Sequence, residues 1–126
     1  MGTRSLTFVY DNGTPVVCMY RQFDGYPEGH GAELAEFLSP MTVVNGIGVD
    51  TKNVSNGMGC LAAQMVAKFK VGAGGFYLYP TDTTDAWQEY EYHVYENRVK
   101  VTNPTEVIFE GSWQDFVSFC SAEEIS

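Results

Sequence analysis

The chain is poor in the residues that most often carry chemistry. Histidine occurs twice, at His30 and His93, and cysteine three times, at Cys18, Cys60 and Cys120. There is no Cys-x-x-Cys pair and no closely spaced pair of histidines, which argues against a structural zinc site. Gly-x-Ser-x-Gly is absent, and neither histidine has a nucleophile as its sequence neighbour, so no assembled hydrolase motif is visible. Positive charge is scarce as well: seven Lys and Arg stand against sixteen Asp and Glu, a formal net charge of -9. Phosphate backbones need a basic surface, so direct nucleic-acid binding is not expected. An acidic surface instead suits docking on a basic host protein, or simply keeps the chain dispersed in water. No apolar run approaches the roughly 18 residues of a membrane span. The start, MGTRSLTFVY, has one Arg and no long apolar stretch, unlike a signal peptide. Leu6 stands where a myristoylation signal wants Ser or Thr. The cysteines lie in apolar surroundings without short-range partners, as small buried side chains of a reducing, cytoplasmic compartment do.

What is present is a core. At 126 residues, 44% hydrophobic and 14% aromatic, the chain is expected to form one domain over residues 1–126. SLTFVYDNGTPVVCMY reads as a β-hairpin: Leu6, Phe8 and Tyr10 alternate with Thr7 and Val9, Asn12-Gly13 supplies a positive-φ turn, and Val16 to Tyr20 returns. Pro15 belongs at a strand start or an edge. Leu34, Phe37 and Leu38 give a short helix ending before Pro40. MTVVNGIGVDTKNVSNG, rich in turn dipeptides, reads as an irregular excursion. Met58, Leu61, Ala62, Met65, Val66 and Phe69 keep helical spacing throughout, with Ser55 or Asn56 as N-cap and Lys68 and Lys70 in the last turn. Gly72, Gly74 and Gly75 then end that helix before the strand GFYLYP. Tyr90, Tyr92 and Val94 alternate with Glu89, Glu91 and His93, which places His93 on a polar, solvated face. Val99, Val101 and EVIFEG continue the strands. A last helix follows, with Ser112 as N-cap, Asp115 three residues on, and a stripe of Trp113, Phe116, Val117 and Cys120. The order β-β-α-α-β-β-β-β-α predicts an α+β domain, a mainly antiparallel sheet with about three helices packed on one face.

Few constellations carry chemistry. The glycines of GAGG follow a helix and precede a strand. A phosphate loop has the reverse order, so a helix stop is the better reading. Asp82 to Asp85, DTTD, is too sparse for a hard-metal loop, and no metal or cofactor is expected. The segment of mixed chemistry is YRQFDGYPEGHG, Tyr20 to Gly31. Asp24-Gly25 is a turn dipeptide and Tyr26-Pro27 an extended one. Gly29 and Gly31 permit positive φ or a close backbone approach. The segment feeds the N-terminus of the first helix, where free N–H groups can hold an anion. The candidate ligand- or partner-binding residues are Tyr20, Gln22, Asp24, Tyr26, Glu28 and His30. The competing reading packs Tyr20 in the core and leaves the glycines to shape a bend.

Gly2-Thr3-Arg4-Ser5, together with the Tyr20–Gly31 stretch and Leu34 to Leu38, resembles a group of small uncharacterised proteins of phages and bacteria. These begin Gly-Thr-Arg-Ser and carry Tyr-x-Gln-x-Asp-Gly-Tyr-Pro-x-Gly-x-Gly. The resemblance extends through Gly59 to Gln64 and the tyrosine-rich strands. It implies a phage-related setting and adds Arg4 to the candidates near the turn, but it brings no activity. The leading expectation is a non-enzymatic binding protein, a phage accessory or counter-defence factor acting on a host protein or small ligand. The alternatives are a small hydrolase or nucleotide-processing enzyme using the turn, and a virion structural or assembly component. A homodimer is the default expectation for a sheet with an open edge.

Overall fold

The computed structural model describes residues 2–46 and 53–125. Strands β1 (Ser5–Asp11) and β2 (Thr14–Arg21) form the expected hairpin. Asn12 and Gly13 both take left-handed backbone, φ 55° and 82°, the geometry that lets a two-residue turn follow the right-handed twist of its strands. Pro15 pairs with Tyr10 where the ladder shifts register, a place where a missing N–H costs least. A wide π-type turn, Pro27–Gly31, leads directly into α1 (Ala32–Leu38).

The excursion that follows is more regular than its turn dipeptides predict. Thr42–Val44 (β3) and Val54–Asn56 (β4) pair in parallel as a separate small sheet. Strands of three residues are too short to show an alternating pattern, which is why they were not legible from residue order. The middle of that stretch, 47–52, lies outside the described residues. Helix α2 (Gly57–Phe69) buries Met58, Leu61, Ala62, Met65 and Phe69, five of the six positions picked out by spacing. Asn56 sits at its N-cap without a side-chain cap bond and accepts instead from the Gly46 amide at 2.7 Å.

The main sheet has six strands. After β2 come β5 (Phe76–Tyr79), β6 (Tyr90–Tyr95), β7 (Arg98–Thr102) and β8 (Val107–Gly111), in spatial order β5-β2-β1-β6-β7-β8. Every neighbouring pair is antiparallel except β1 with β6. With α3 (Trp113–Ile125) the domain is α+β with three α-helices. On one face, Val9, Met19, Tyr92, Val94, Val99 and Val101 form a common core with α1, α2 and α3. On the other face Leu6, Phe8, Cys18 and Tyr20 form a smaller cluster, covered by Tyr10 and by Ala86 of the loop after β5.

Helix α3 begins as its sequence indicates, with the Asp115 amide donating to Ser112 Oγ at 3.1 Å. Its buried stripe is Trp113, Phe116 and Cys120. Phe119 packs against the core, and Val117 faces out. Cys18 and Cys120 are buried and Cys60 is half-buried, and none of the three is in a disulfide. No described helix is long and apolar enough to cross a membrane.

Candidate functional site

Three places on this frame hold unusual chemistry: the bend between β2 and α1, the aromatic face of the sheet, and its edge at β5. The bend is built around Arg21, the last residue of β2, and His30 in the π-type turn. Arginine can only donate, so Arg21 Nη1, 3.2 Å from His30 Nδ1, fixes that nitrogen as the acceptor. The imidazole proton therefore sits on Nε2, which donates to Thr7 Oγ1 at 2.7 Å. The guanidinium also forks onto Glu33 at 3.1 and 3.3 Å, donates from Nε to the Phe23 carbonyl at 2.7 Å, and lies over the Phe76 ring. His30 is fully buried, edge-on to Tyr92. Burial, and then the Arg21 charge, push its pKa down to about 3, so it is neutral at ordinary pH.

The rest of the bend is backbone held at close quarters. The Tyr92 hydroxyl donates to Gly25 O at 2.7 Å, and burial pushes that phenol far above its ordinary pKa. The Gly25 amide donates to Thr3 O at 2.8 Å. A Cβ on Gly25 would come within 2.9 Å of backbone atoms of Arg4 and Ser5, and one on Gly29 within 2.6 Å of the Asp24 carbonyl. These glycines therefore serve close approach, and it is Asp24 that takes positive φ, 60°.

The candidates named from sequence are only partly brought together. Tyr20 is buried on the aromatic face, away from His30 on the helix-covered face. Asp24 is exposed and accepts from the Tyr26 hydroxyl at 3.1 Å, which raises the Tyr26 pKa. Asp24 meets His30 only through backbone, the His30 amide donating to the Asp24 carbonyl at 2.8 Å. Arg4 reaches the region through its main chain, its carbonyl accepting from the Glu89 amide at 2.9 Å. Gln22 is half-buried, its amide donating to Gly75 O, and Glu28 is exposed. The amides of Gly29, His30 and Gly31 are all donated to carbonyls of Tyr26 and Asp24, so the donors proposed for an anion are occupied. The bend is a buried polar clasp locking β1, β2 and α1 together. Arg21, inside the Tyr20–Gly31 segment, and Thr7 and Glu33, outside it, are its working parts. Charge at the end of an apolar strand was the available signal for Arg21.

The aromatic face holds a chain of groups that the sequence concealed. His93 stacks on Phe8, ring centroids 5.2 Å apart. It bonds Glu91 Oε1 through Nε2 at 3.1 Å and the Tyr10 hydroxyl through Nδ1 at 2.7 Å. The bond from His93 holds Glu91 below its ordinary pKa. An ionised Glu91 accepts from Nε2–H, which leaves Nδ1 to accept from Tyr10. His93 is therefore no solvated surface residue. Alternation placed it on the correct face but could not show that the neighbouring strand lays Phe8 and Tyr10 beside it. Burial and the neighbouring Tyr95 push the Tyr10 phenol up to about 12. Beside this chain the loop into β6 is braced: Gln88 Nε2 donates to Glu91 at 2.8 Å and to Thr84 O at 3.0 Å, while its Oε1 accepts from the Ala86 amide at 2.7 Å. The brace presents Trp87, 82% exposed and at φ 63°.

At the sheet edge, β5 pairs with β2 on one side only. Tyr77, Leu78 and Tyr79 are 45%, 60% and 36% exposed, an apolar row with no strand on its outer side among the described residues. Tyr20 stacks on Tyr79 at 5.0 Å, so two tyrosines of the edge continue the aromatic face. Behind Leu78 an apolar cleft opens between β5 and the end of α2, lined by Met19, Val66, Lys70, Phe76, Tyr77 and Leu78.

No cluster of metal-ligating side chains is present among the described residues. Comparison with protein-family profiles, with curated proteins and with solved structures finds no match.

Proposed function

We propose that the protein is a non-enzymatic binding factor, a phage accessory or counter-defence protein that docks on a basic host protein. The observation that carries this reading is the open β5 edge with its exposed Tyr77, Leu78 and Tyr79. Soluble chains blunt an open edge with charge, proline or a covering loop. Here Lys70 holds the Phe76 carbonyl and Pro80 follows the strand, yet the exposed apolar side chains of the edge have the composition of a protein interface. The formal charge of -9 supports a basic partner, through faster encounter and rejection of acidic competitors. The phage-like Gly2-to-Ser5 start and Tyr20–Gly31 motif support the setting.

The test is capture by the tagged chain from a bacterial host lysate, then titration of the purified partner at about 50 and 300 mM salt. A basic partner whose Kd weakens about tenfold or more over that range is expected, with further loss on joint Asp82→Lys and Asp85→Lys substitution. A neutral or acidic partner, or binding indifferent to salt, sinks the reading.

A second reading, a small hydrolase, draws on the Tyr10–His93–Glu91 chain. It ranks lower because the raised Tyr10 pKa works against a phenolate nucleophile. It expects turnover of a chromogenic ester or phosphodiester that His93→Ala abolishes.

A further inference from the structure

We infer that β5 accepts an added strand, and that the occupant is an extended segment of the partner in which apolar residues alternate with lysine or arginine. The inference rests on the proposed binding function and specifies where and how the partner is held. Three features of the edge define the occupant. No strand pairs with the outer side of β5 among the described residues. The Phe76 amide and carbonyl are already held, by Gly74 O at 2.9 Å and Lys70 Nζ at 2.7 Å, so an incoming main chain pairs at Leu78, in the way peptides augment sheets elsewhere. Alternate side chains of that strand then point to opposite faces of the sheet. On the helix-covered face they meet the cleft of about 210 Å³ behind Leu78, walled by Met19, Val66 and Phe76. The one charge at that cleft, Lys70, lies along the edge, its Nζ donating to the carbonyls of Gly74 and Phe76 at 3.1 and 2.7 Å and resting over the Tyr77 ring. Only an apolar side chain gains by entering there.

On the other face the incoming side chains meet Tyr77 and Tyr79, in line with Tyr20. Lys70 Nζ already lies 5.4 Å from the centre of the Tyr77 ring, so the ring left to attract an incoming cation is that of Tyr79, and the charge of -9 adds a long-range pull of the same sign. Two faces of different chemistry thus require an alternating, basic-and-apolar strand. A second copy of this chain satisfies the edge backbone but brings another -9, so a homodimer through β5 is disfavoured.

The test uses a dye-labelled synthetic peptide of about eight residues alternating Lys or Arg with Val. Its control has the same composition arranged as a basic block followed by an apolar block. Saturable anisotropy is expected for the alternating peptide, with slowed amide exchange at Leu78. Leu78→Lys, at an exposed site that leaves the melting temperature unchanged, is expected to weaken binding at least about tenfold. Tyr79→Ala is the second variant, expected to lose the preference for basic over neutral alternating peptides. Equal binding of the block peptide, unaltered affinity in Leu78→Lys, no added protection in β5, or sedimentation as a dimer through this edge overturns the inference. Should the peptide fail while host-protein capture still responds to Asp82→Lys with Asp85→Lys, the binding function stands and the β5 site alone is lost.

Discussion

At the scale of residues, His30 is the most consequential group in the domain. It is held neutral, with a pKa near 3 in the fold against about 6.5 in an unfolded chain. The unfolded state therefore binds a proton as pH falls below about 6.5, while the folded state resists until about 3. Stability from this group is complete above the unfolded pKa and is lost as pH drops through the window between the two values. At pH 5 the loss is about 2 kcal/mol. Urea melts of the wild type and His30→Gln between pH 4 and 8 check it: the wild type is expected to lose about that much more stability than the variant on going from pH 7 to 5. Parallel pH profiles for the two would show that His30 is not buried neutral. Such a role was only half legible in YRQFDGYPEGHG. The segment signalled special chemistry, but rings, charges and glycines are equally the materials of a ligand site and of an internal clasp. What separates the two is whether Arg21 and Thr7, nine and twenty-three residues away from His30, turn their polar atoms inward.

At the scale of elements, the hairpin and α2 were legible because each repeats one rule over many residues: alternation around Asn12-Gly13, and helical spacing from Met58 to Phe69. The parallel pairing of β1 with β6 was not, since it joins segments on either side of the chain's two longest connections and leaves no local trace. The half-burial of His93 was hidden for the same reason. Glycine shows the limit of sequence reading, because one residue type serves opposite ends. Gly25 lies where a Cβ strikes backbone of the first strand, whereas Gly59 sits in α2 with nothing within 4 Å of a new Cβ. Gly25→Ala is therefore expected to destabilise by about 2 kcal/mol, since rigid backbone has to move. Gly59→Ala is expected to stabilise by a few tenths to about 1 kcal/mol through helix propensity and a less flexible unfolded chain. Chemical denaturation of both variants measures the pair. Shifts of the same sign would mean that the approach of the Asp24-Gly25 turn to β1 is looser than these distances describe.

At the scale of the whole molecule, charge acts on folding and on binding with opposite signs. Sixteen acids against seven bases leave a surface that repels itself, and compaction brings those charges closer than the unfolded chain does. Few ion pairs among the described residues offset this: Arg21–Glu33 is the one anchored inside the clasp, and Arg98–Glu110 lies exposed on the strands, where such pairs are worth about 0–1 kcal/mol. Raising salt from about 20 to 300 mM shortens the Debye length from roughly 20 Å to 6 Å. It therefore relieves the repulsion more than it weakens those pairs. The melting temperature of the free protein is expected to rise by a few degrees over that range, about 1 kcal/mol for a domain of this size. Attachment of a basic strand to β5 is expected to weaken over the same range, because the same field that strains the free protein draws the partner in. Calorimetric scans of the free protein, set beside peptide anisotropy in matched buffers, read both slopes. A melting temperature that falls with salt would assign the stability to surface ion pairs and remove the acidic excess as the common cause of the two effects.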